Sequence, residues 1–228
     1  MTTVTSEIIK LYDMLGQDGK MQQIQRELED EWGPYGPADM REMHMMAENA
    51  GHMIYVIQFA SDDGIMIPSG ILQTGRAPIG GDYRRLIEVY PTFNHIVSNG
   101  TWEESNNMRG DTALLLQITA FGERSQGVGS LLRDGVFRMM PDDVLYALTT
   151  TPVPKGLTLE GLNEMPHHSY PPAVRFHYNG GGEISGHKAD YKVPQGRPNG
   201  DKGRQHYTDV KFLKYTRRQE GWVLRRAA

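Results

Sequence analysis

Arg124-Ser125-Gln126-Gly127-Val128-Gly129 lies between a strongly apolar run, Asp111 to Phe121, and a helix-like run that starts at Val128. A glycine turn that opens a helix leaves backbone N–H groups unpaired at the positive end of the helix dipole. Such a turn binds anions, and phosphates fit it well. Glycine lets the ligand approach the backbone with no Cβ in the way. The spacing excludes two phosphate-binding patterns. A dinucleotide fingerprint requires G-x-G-x-x-G, and Leu132 occupies the place of the third glycine. A P-loop requires Gly-Lys followed by Ser or Thr, a sequence this chain lacks.

Other chemistries are excluded by composition. The chain has no cysteine, so it has no disulfide framework, thiolate metal site or cysteine nucleophile. That usage fits a reducing cytoplasm, where the protein is expected. His167 and His168 are adjacent and project in different directions, with no carboxylate at ligand spacing, so no metal site is expected. The net charge of −4 gives no general attraction to nucleic acid. Acidic residues gather at Glu27, Glu29, Asp30 and Glu31, and basic ones at Lys211, Lys214, Arg217, Arg218, Arg225 and Arg226. Both groups read as solvated surfaces. No apolar run approaches the roughly 20 residues of a membrane span, and Met1 is followed by polar residues rather than by a signal-peptide pattern. No membrane partner is expected.

The elements that must position the turn follow from periodicity. Thr5 to Trp32 reads as helix, with apolar residues at Ile8, Leu11, Tyr12, Leu15, Met21, Ile24 and Leu28, broken near Gly16 to Gly19. Pro37 opens a Met-rich helix that reaches Asn49. His52 to Ala60 and Ile65 to Thr74 read as strands around the turn Asp62-Asp63-Gly64. Residues 75 to 110 read as irregular, with a short helix near Tyr83 to Val89. Asp111 to Phe121 is a strand whose Leu114-Leu115-Leu116 run implies burial on both faces. Val128 to Met140 is helix, Asp143 to Thr149 a buried strand, and Thr158 to Met165 a short helix capped by Thr158. Val174 to Tyr178 and Tyr207 to Tyr215 read as late strands, separated by a polar loop over Gly180 to Gln205. The order describes a mixed α/β layer protein with an antiparallel beginning and one strand-helix-strand crossover.

Set in that crossover, Arg124 to Gly129 fits R/Q-x-x-G-x-G/A and resembles the pyrophosphate-binding motif of the GNAT superfamily, whose members hold acyl-coenzyme A or acyl-pantetheine. The resemblance implies a GNAT fold: a mixed, mostly antiparallel central sheet with splayed central strands and flanking helices. It implies a coenzyme A thioester, acetyl-CoA or malonyl-type, held by Gln117, Ile118 and Thr119 on the strand and by Arg124, Gln126, Gly127, Val128, Gly129 and Ser130 at the turn. It places a catalytic domain over 37–228, preceded by a helical extension over 1–36.

Two further stretches resemble a narrower group, the GNAT-like decarboxylase and acyltransferase domains of polyketide synthase loading modules. They are Asn99-Gly100-Thr101 with Gly110-Asp111-Thr112, and the run Pro172 to Ile184, in which Phe176, His177, Gly181 and Ile184 match the group's late strand and Gly182 replaces an alanine. In that group a threonine after the post-motif strand and a histidine on the late strand assist decarboxylation of a malonyl thioester. The resemblance carries these roles to His177 and to one of Thr149, Thr150 and Thr151. An arginine of the group becomes Lys192 here, which keeps the charge and loses bidentate carboxylate binding. An acyl carrier protein is the partner this group implies. Chemically, a histidine N–H or threonine O–H can stabilise an enolate oxygen, and the histidine can instead act as general base. N-acetyl transfer to a small amine and a non-catalytic carrier-binding module are the alternatives.

Overall fold

The structure is a computed structural model that describes residues 5–32, 37, 39–89, 110–121, 127–194 and 205–224. Its centre is one mixed sheet. The strands are β1 (Ser6–Lys10), β2 (Ile54–Ala60), β3 (Met66–Ala77), β4 (Thr112–Ala120), β5 (Tyr146–Val153), β6 (Glu183–Pro194), β7 (Gln205–Arg218) and β8 (Gly221–Trp222). They lie in the order β1-β2-β3-β4-β5-β7-β6, with β8 on β7. Every pair is antiparallel except β4–β5. That parallel pair is joined by α4 (Val128–Met139), which is the expected crossover.

The remaining helices are α1 (Asp18–Trp32), α2 (Met40–Ala50), α3 (Tyr83–Val89), α5 (Leu159–Glu164) and α6 (Pro172–Asn179). In α4, Leu132, Val136 and Phe137 are fully buried against Leu72, Leu115, Ala147 and Tyr215 of the sheet. Burial of each such side chain contributes about 1.5–3 kcal/mol. On the opposite face, Leu86 of α3 meets Leu114, Leu148 and Phe212. Asp39 caps α2 by accepting from the Glu42 N–H at 2.9 Å, and Thr158 caps α5 through the Gly161 N–H at 3.0 Å.

Four expectations are corrected. The first helix does not begin at Thr5. Ser6–Lys10 is an edge strand paired with Tyr55 to Phe59, followed by a 3₁₀ turn over Leu11–Met14. The i, i+3, i+4 spacing of Ile8, Leu11 and Tyr12 is shared by a short strand running into a tight turn, and pairing with β2 decides between them. The segment before residue 37 packs on the sheet. Leu11, Met14, Met21 and Ile24 share a core with Ile54, Val56 and Ile71. Next, β5 runs on to Val153, so Thr149, Thr150 and Thr151 lie within the strand rather than at its end. The run Val174 to Tyr178 is helical, because Pro172 takes the first turn of α6 and Gly180-Gly181-Gly182 ends it. Finally, the polar loop after Gly180 contains β6. It is a charged edge strand with two register shifts, and Asp190 in one of them has φ 50°. Residues 195–204 of that loop lie outside the described residues.

Candidate active site

β4 and β5 pair only from Thr112↔Tyr146 to Leu115↔Thr149. Beyond that point each strand stays with its outer neighbour, β4 with β3 as far as Gly70↔Ala120 and β5 with β7 as far as Val153↔Asp209. The register supplies the cause of the separation. Gln73 pairs with Gln117 and Thr74 with Leu115, which leaves Leu116 as an extra residue on β4. A bulge of this kind bends its strand and ends regular pairing. It falls where the β4–β5 ladder stops.

The opened ends bound a cleft of about 420 Å³. Leu116, Gln117, Ile118 and Ala120 form one wall, and Thr149 to Pro152 the other. Gly127, Gly129 and Ser130 stand at the start of α4, while Ala173, Phe176 and His177 of α6 complete the lining. The inner edges of the splayed strands carry backbone N–H and C=O groups with no partner strand between them among the described residues, which suits an extended ligand containing amides.

Two glycines stand at the start of α4. Gly127 caps α4 in the left-handed region at φ 83°, and a Cβ built there would meet nothing within 4 Å among the described residues. At Gly129 a Cβ would lie 3.5 Å from the Phe176 ring and 3.7 Å from Ile118. That glycine therefore keeps the passage between α4 and α6 open. Val128 instead points into the core, so only its backbone is available. Thr119 is not part of the lining and accepts from the Gln117 amide at 3.1 Å. Arg124 and Gln126 lie outside the described residues.

The three threonines are not equivalent. Thr151 is buried, and its Oγ1 donates to the Lys211 carbonyl at 3.0 Å. Thr150 pairs with Phe212 and projects to the opposite sheet face from its neighbours. Thr149 pairs with Leu213, on the face that α6 covers. Its hydroxyl has no hydrogen-bond partner among the described residues.

His177 lies on α6 rather than on a strand, in the last turn. Its Nδ1 is 2.9 Å from the Tyr215 hydroxyl, and that hydroxyl donates to the His177 carbonyl at 3.1 Å. Burial, with the Arg133 guanidinium nearby, pushes the imidazole down to about 3, so the ring is neutral at physiological pH. The same burial raises the Tyr215 phenol above its ordinary range. Arg133 Nη1 donates to the Phe176 carbonyl at 2.9 Å, and its guanidinium lies 4.7 Å from the Phe176 ring. The glycine run after α6 makes room for this assembly. A Cβ at Gly180 would come within 2.2 Å of the Arg133 guanidinium, and one at Gly182 within 3.1 Å of the Tyr215 ring.

Thus the cleft brings together His177, Thr149, Thr150, Thr151, Gln117, Ile118, Gly127, Gly129 and Ser130. It does not gather Lys192 of β6, which pairs with Tyr207 of β7. β6 lies beyond β7, whereas the cleft opens on the other side of β5. The sequence reading missed Phe176 as a wall of the cleft and Arg133 and Tyr215 as partners of the histidine helix. His167 and His168 sit on an exposed turn, and no group of three metal-ligating side chains occurs among the described residues.

No family model matches this chain, and no curated protein does. Solved structures match it in fold. A putative acetyltransferase from Acinetobacter baylyi ADP1 aligns with TM-score 0.51 and 11% identity over 95% of this chain and 94% of its own. The GphF GNAT-like decarboxylase, solved in complex with isobutyryl-CoA, aligns with TM-score 0.50 and 12% identity, covering 93% and 98% of the two chains. Arabidopsis thaliana NAA60, in complex with acetyl-CoA, aligns with TM-score 0.50 and 10% identity, covering 94% and 99%. The chain has the GNAT fold, with an open and mostly antiparallel sheet flanked by helices. An acetyltransferase and a decarboxylase match it equally well, so this likeness favours neither reaction.

Proposed function

We propose that this protein transfers an acyl group from a coenzyme A thioester to a thiol. The cleft between the splayed strands carries the reading. It offers glycine-flanked N–H groups for a pyrophosphate at one end, unpaired strand edges for pantetheine amides along its length, and Thr149 with His177 where the thioester carbonyl would lie. GNAT-fold proteins solved with acetyl-CoA and isobutyryl-CoA support the thioester.

In the proposed reaction the incoming thiol attacks the carbonyl carbon as its proton passes to Nε2 of His177. The Thr149 hydroxyl donates to the carbonyl oxygen as negative charge develops there. The carbon–sulfur bond to coenzyme A then breaks, and the leaving thiolate takes the proton back from His177. An imidazole pushed down to about 3 holds that proton only briefly, which favours its return. A thiol is an easier proton source for so weak a base than an ammonium group, whose pKa is about two units higher. The lining also has no carboxylate among the described residues to receive an ammonium group.

Decarboxylation of a malonyl-type thioester is the second reading. The lining has no cationic side chain among the described residues. A carboxylate desolvated there without a counter-ion gains stability as its charge moves to the enolate oxygen. An acyl carrier protein is the natural macromolecular source of a pantetheine thiol.

Acetyl-CoA, malonyl-CoA and methylmalonyl-CoA, each incubated with free pantetheine or a small amine and followed by mass spectrometry, separate the readings. Acyl-pantetheine from acetyl-CoA is the expected product. Carbon dioxide loss without transfer supports decarboxylation, and an acylated amine supports N-acyl transfer. Coenzyme A binding with no product refutes catalysis and leaves a binding module.

A further inference from the structure

We propose that Tyr215 is a positioning residue that fixes the tautomer of His177, tying Nδ1 to the protein interior and presenting Nε2 to the cleft as a bare proton acceptor. This rests on the acyl-transfer reading above. The Tyr215 hydroxyl lies 2.9 Å from Nδ1 and 3.1 Å from the carbonyl oxygen of the same histidine. A hydroxyl has one proton. If that proton went to Nδ1, the phenolic and carbonyl oxygens would face each other at 3.1 Å with no hydrogen between them. If it goes to the carbonyl, Nδ1–H donates to the phenolic oxygen and both short contacts are hydrogen bonds. The second arrangement leaves no repulsive pair. It places the ring proton on Nδ1.

The surroundings hold the arrangement in place. Tyr215 is fully buried on β7, and the Phe137 ring is tilted against it at 4.8 Å between centroids. The His177 carbonyl also accepts from the Gly182 N–H at 2.9 Å, so the end of α6 cannot shift without losing two bonds. Arg133 grips the preceding carbonyl, that of Phe176. A hydroxyl that bridges a side chain and that side chain's own carbonyl sets ring orientation as well as tautomer. This is the task an orienting carboxylate performs in other histidine-dependent acyl transfers, where loss of the correct tautomer lowers kcat by about 10⁴.

The test is a long-range proton–nitrogen NMR correlation on protein with ¹⁵N-labelled histidine, with the His177 signals assigned by their loss in His177→Gln. The expected result in the wild type is a single neutral tautomer protonated at Nδ1. An Nε2–H tautomer, or a mixture, overturns the inference without any variant. In Tyr215→Phe, Nδ1–H loses its acceptor, and the ring should move to the Nε2–H form. An unchanged Nδ1–H spectrum also overturns the inference. In the transfer assay the variant should lose about 10²–10⁴ in kcat while coenzyme A affinity stays the same. If the tautomer behaves as expected and no thioester turns over, the functional reading fails and the positioning role stands. If thioesters turn over and the tautomer is wrong, the reverse holds.

Discussion

Thr149 and Thr151 lie two residues apart on one strand, yet replacing each by valine should give opposite results. Valine preserves shape and removes the hydroxyl. At Thr151 that hydroxyl donates to the Lys211 carbonyl inside the protein, so its loss should cost about 1–2 kcal/mol of stability and leave turnover near the wild-type value. At Thr149 the hydroxyl lines the cleft and has no partner among the described residues. Thr149 is itself buried, so exchanging that hydroxyl for a methyl should leave the protein as stable as before or up to about 1 kcal/mol more stable. If it donates to the developing oxyanion, turnover should fall by about 10²–10³, equivalent to 2.7–4 kcal/mol of transition-state stabilisation. Urea denaturation measures the stability change, and single-turnover transfer to pantetheine read by mass spectrometry measures the rate. Thr149→Val turning over at the wild-type rate would refute the assignment. So would Thr151→Val losing activity without losing stability, since the buried bond would then not be that side chain's role.

Three further outcomes follow from other parts of the structure. Gly129→Val places a side chain between α4 and α6, where a Cβ already meets Phe176 at 3.5 Å; coenzyme A affinity by calorimetry should drop at least about tenfold while the fold is kept, and unchanged affinity removes the proposed binding path. Gly135→Val places its Cβ 2.2 Å from the present position of Ile8 Cδ1; that atom ends a flexible, half-buried side chain, so Ile8 should turn aside at a cost below about 1 kcal/mol by urea denaturation, and a loss above about 3 kcal/mol would show that the backbone itself is displaced. The imidazole of His177 is held below its unfolded value, so unfolding takes up a proton as pH falls below about 6.5. Its stabilising contribution is complete above that pH and is lost toward about 3. Subtracting the stability of His177→Gln from that of the wild type should therefore leave a slope of about 1.4 kcal/mol per pH unit between pH 6 and 4, and a flat difference shows that the ring titrates normally.

The centre of the fold was legible because β4, α4 and β5 carry strong, unambiguous signals. Leu114-Leu115-Leu116 reads as a strand buried on both faces, and the glycine turn marks where α4 begins. The edges were harder to read. β1 has five residues and shares its apolar spacing with a helix. β6 is largely polar because it borders the sheet and has two bulges, so its pattern resembles a loop. Both are defined by pairing with a neighbour distant in sequence, which local periodicity does not report.

The histidine shows how a site residue can be found while its setting is misread. Val174-Arg175-Phe176-His177-Tyr178 alternates in a way that suits a strand. Prolines at 171 and 172 and glycines from 180 to 182 mark the start and end of a helix instead. That difference changes the chemistry available. On a strand, neighbouring side chains point to opposite faces, and His177 would have had one side in the cleft and little to hold its ring. On the last turn of α6 it sits beside its own helix-terminal carbonyl, and one buried tyrosine hydroxyl reaches both. Gly182 allows that tyrosine to close on the helix end, and Gly180 admits Arg133 below it. The glycine run that appeared to belong to a loop is thus what lets β7 and α4 grip the histidine. Its sequence signal was present, but its meaning depended on Arg133 and Tyr215, more than 30 residues away on either side.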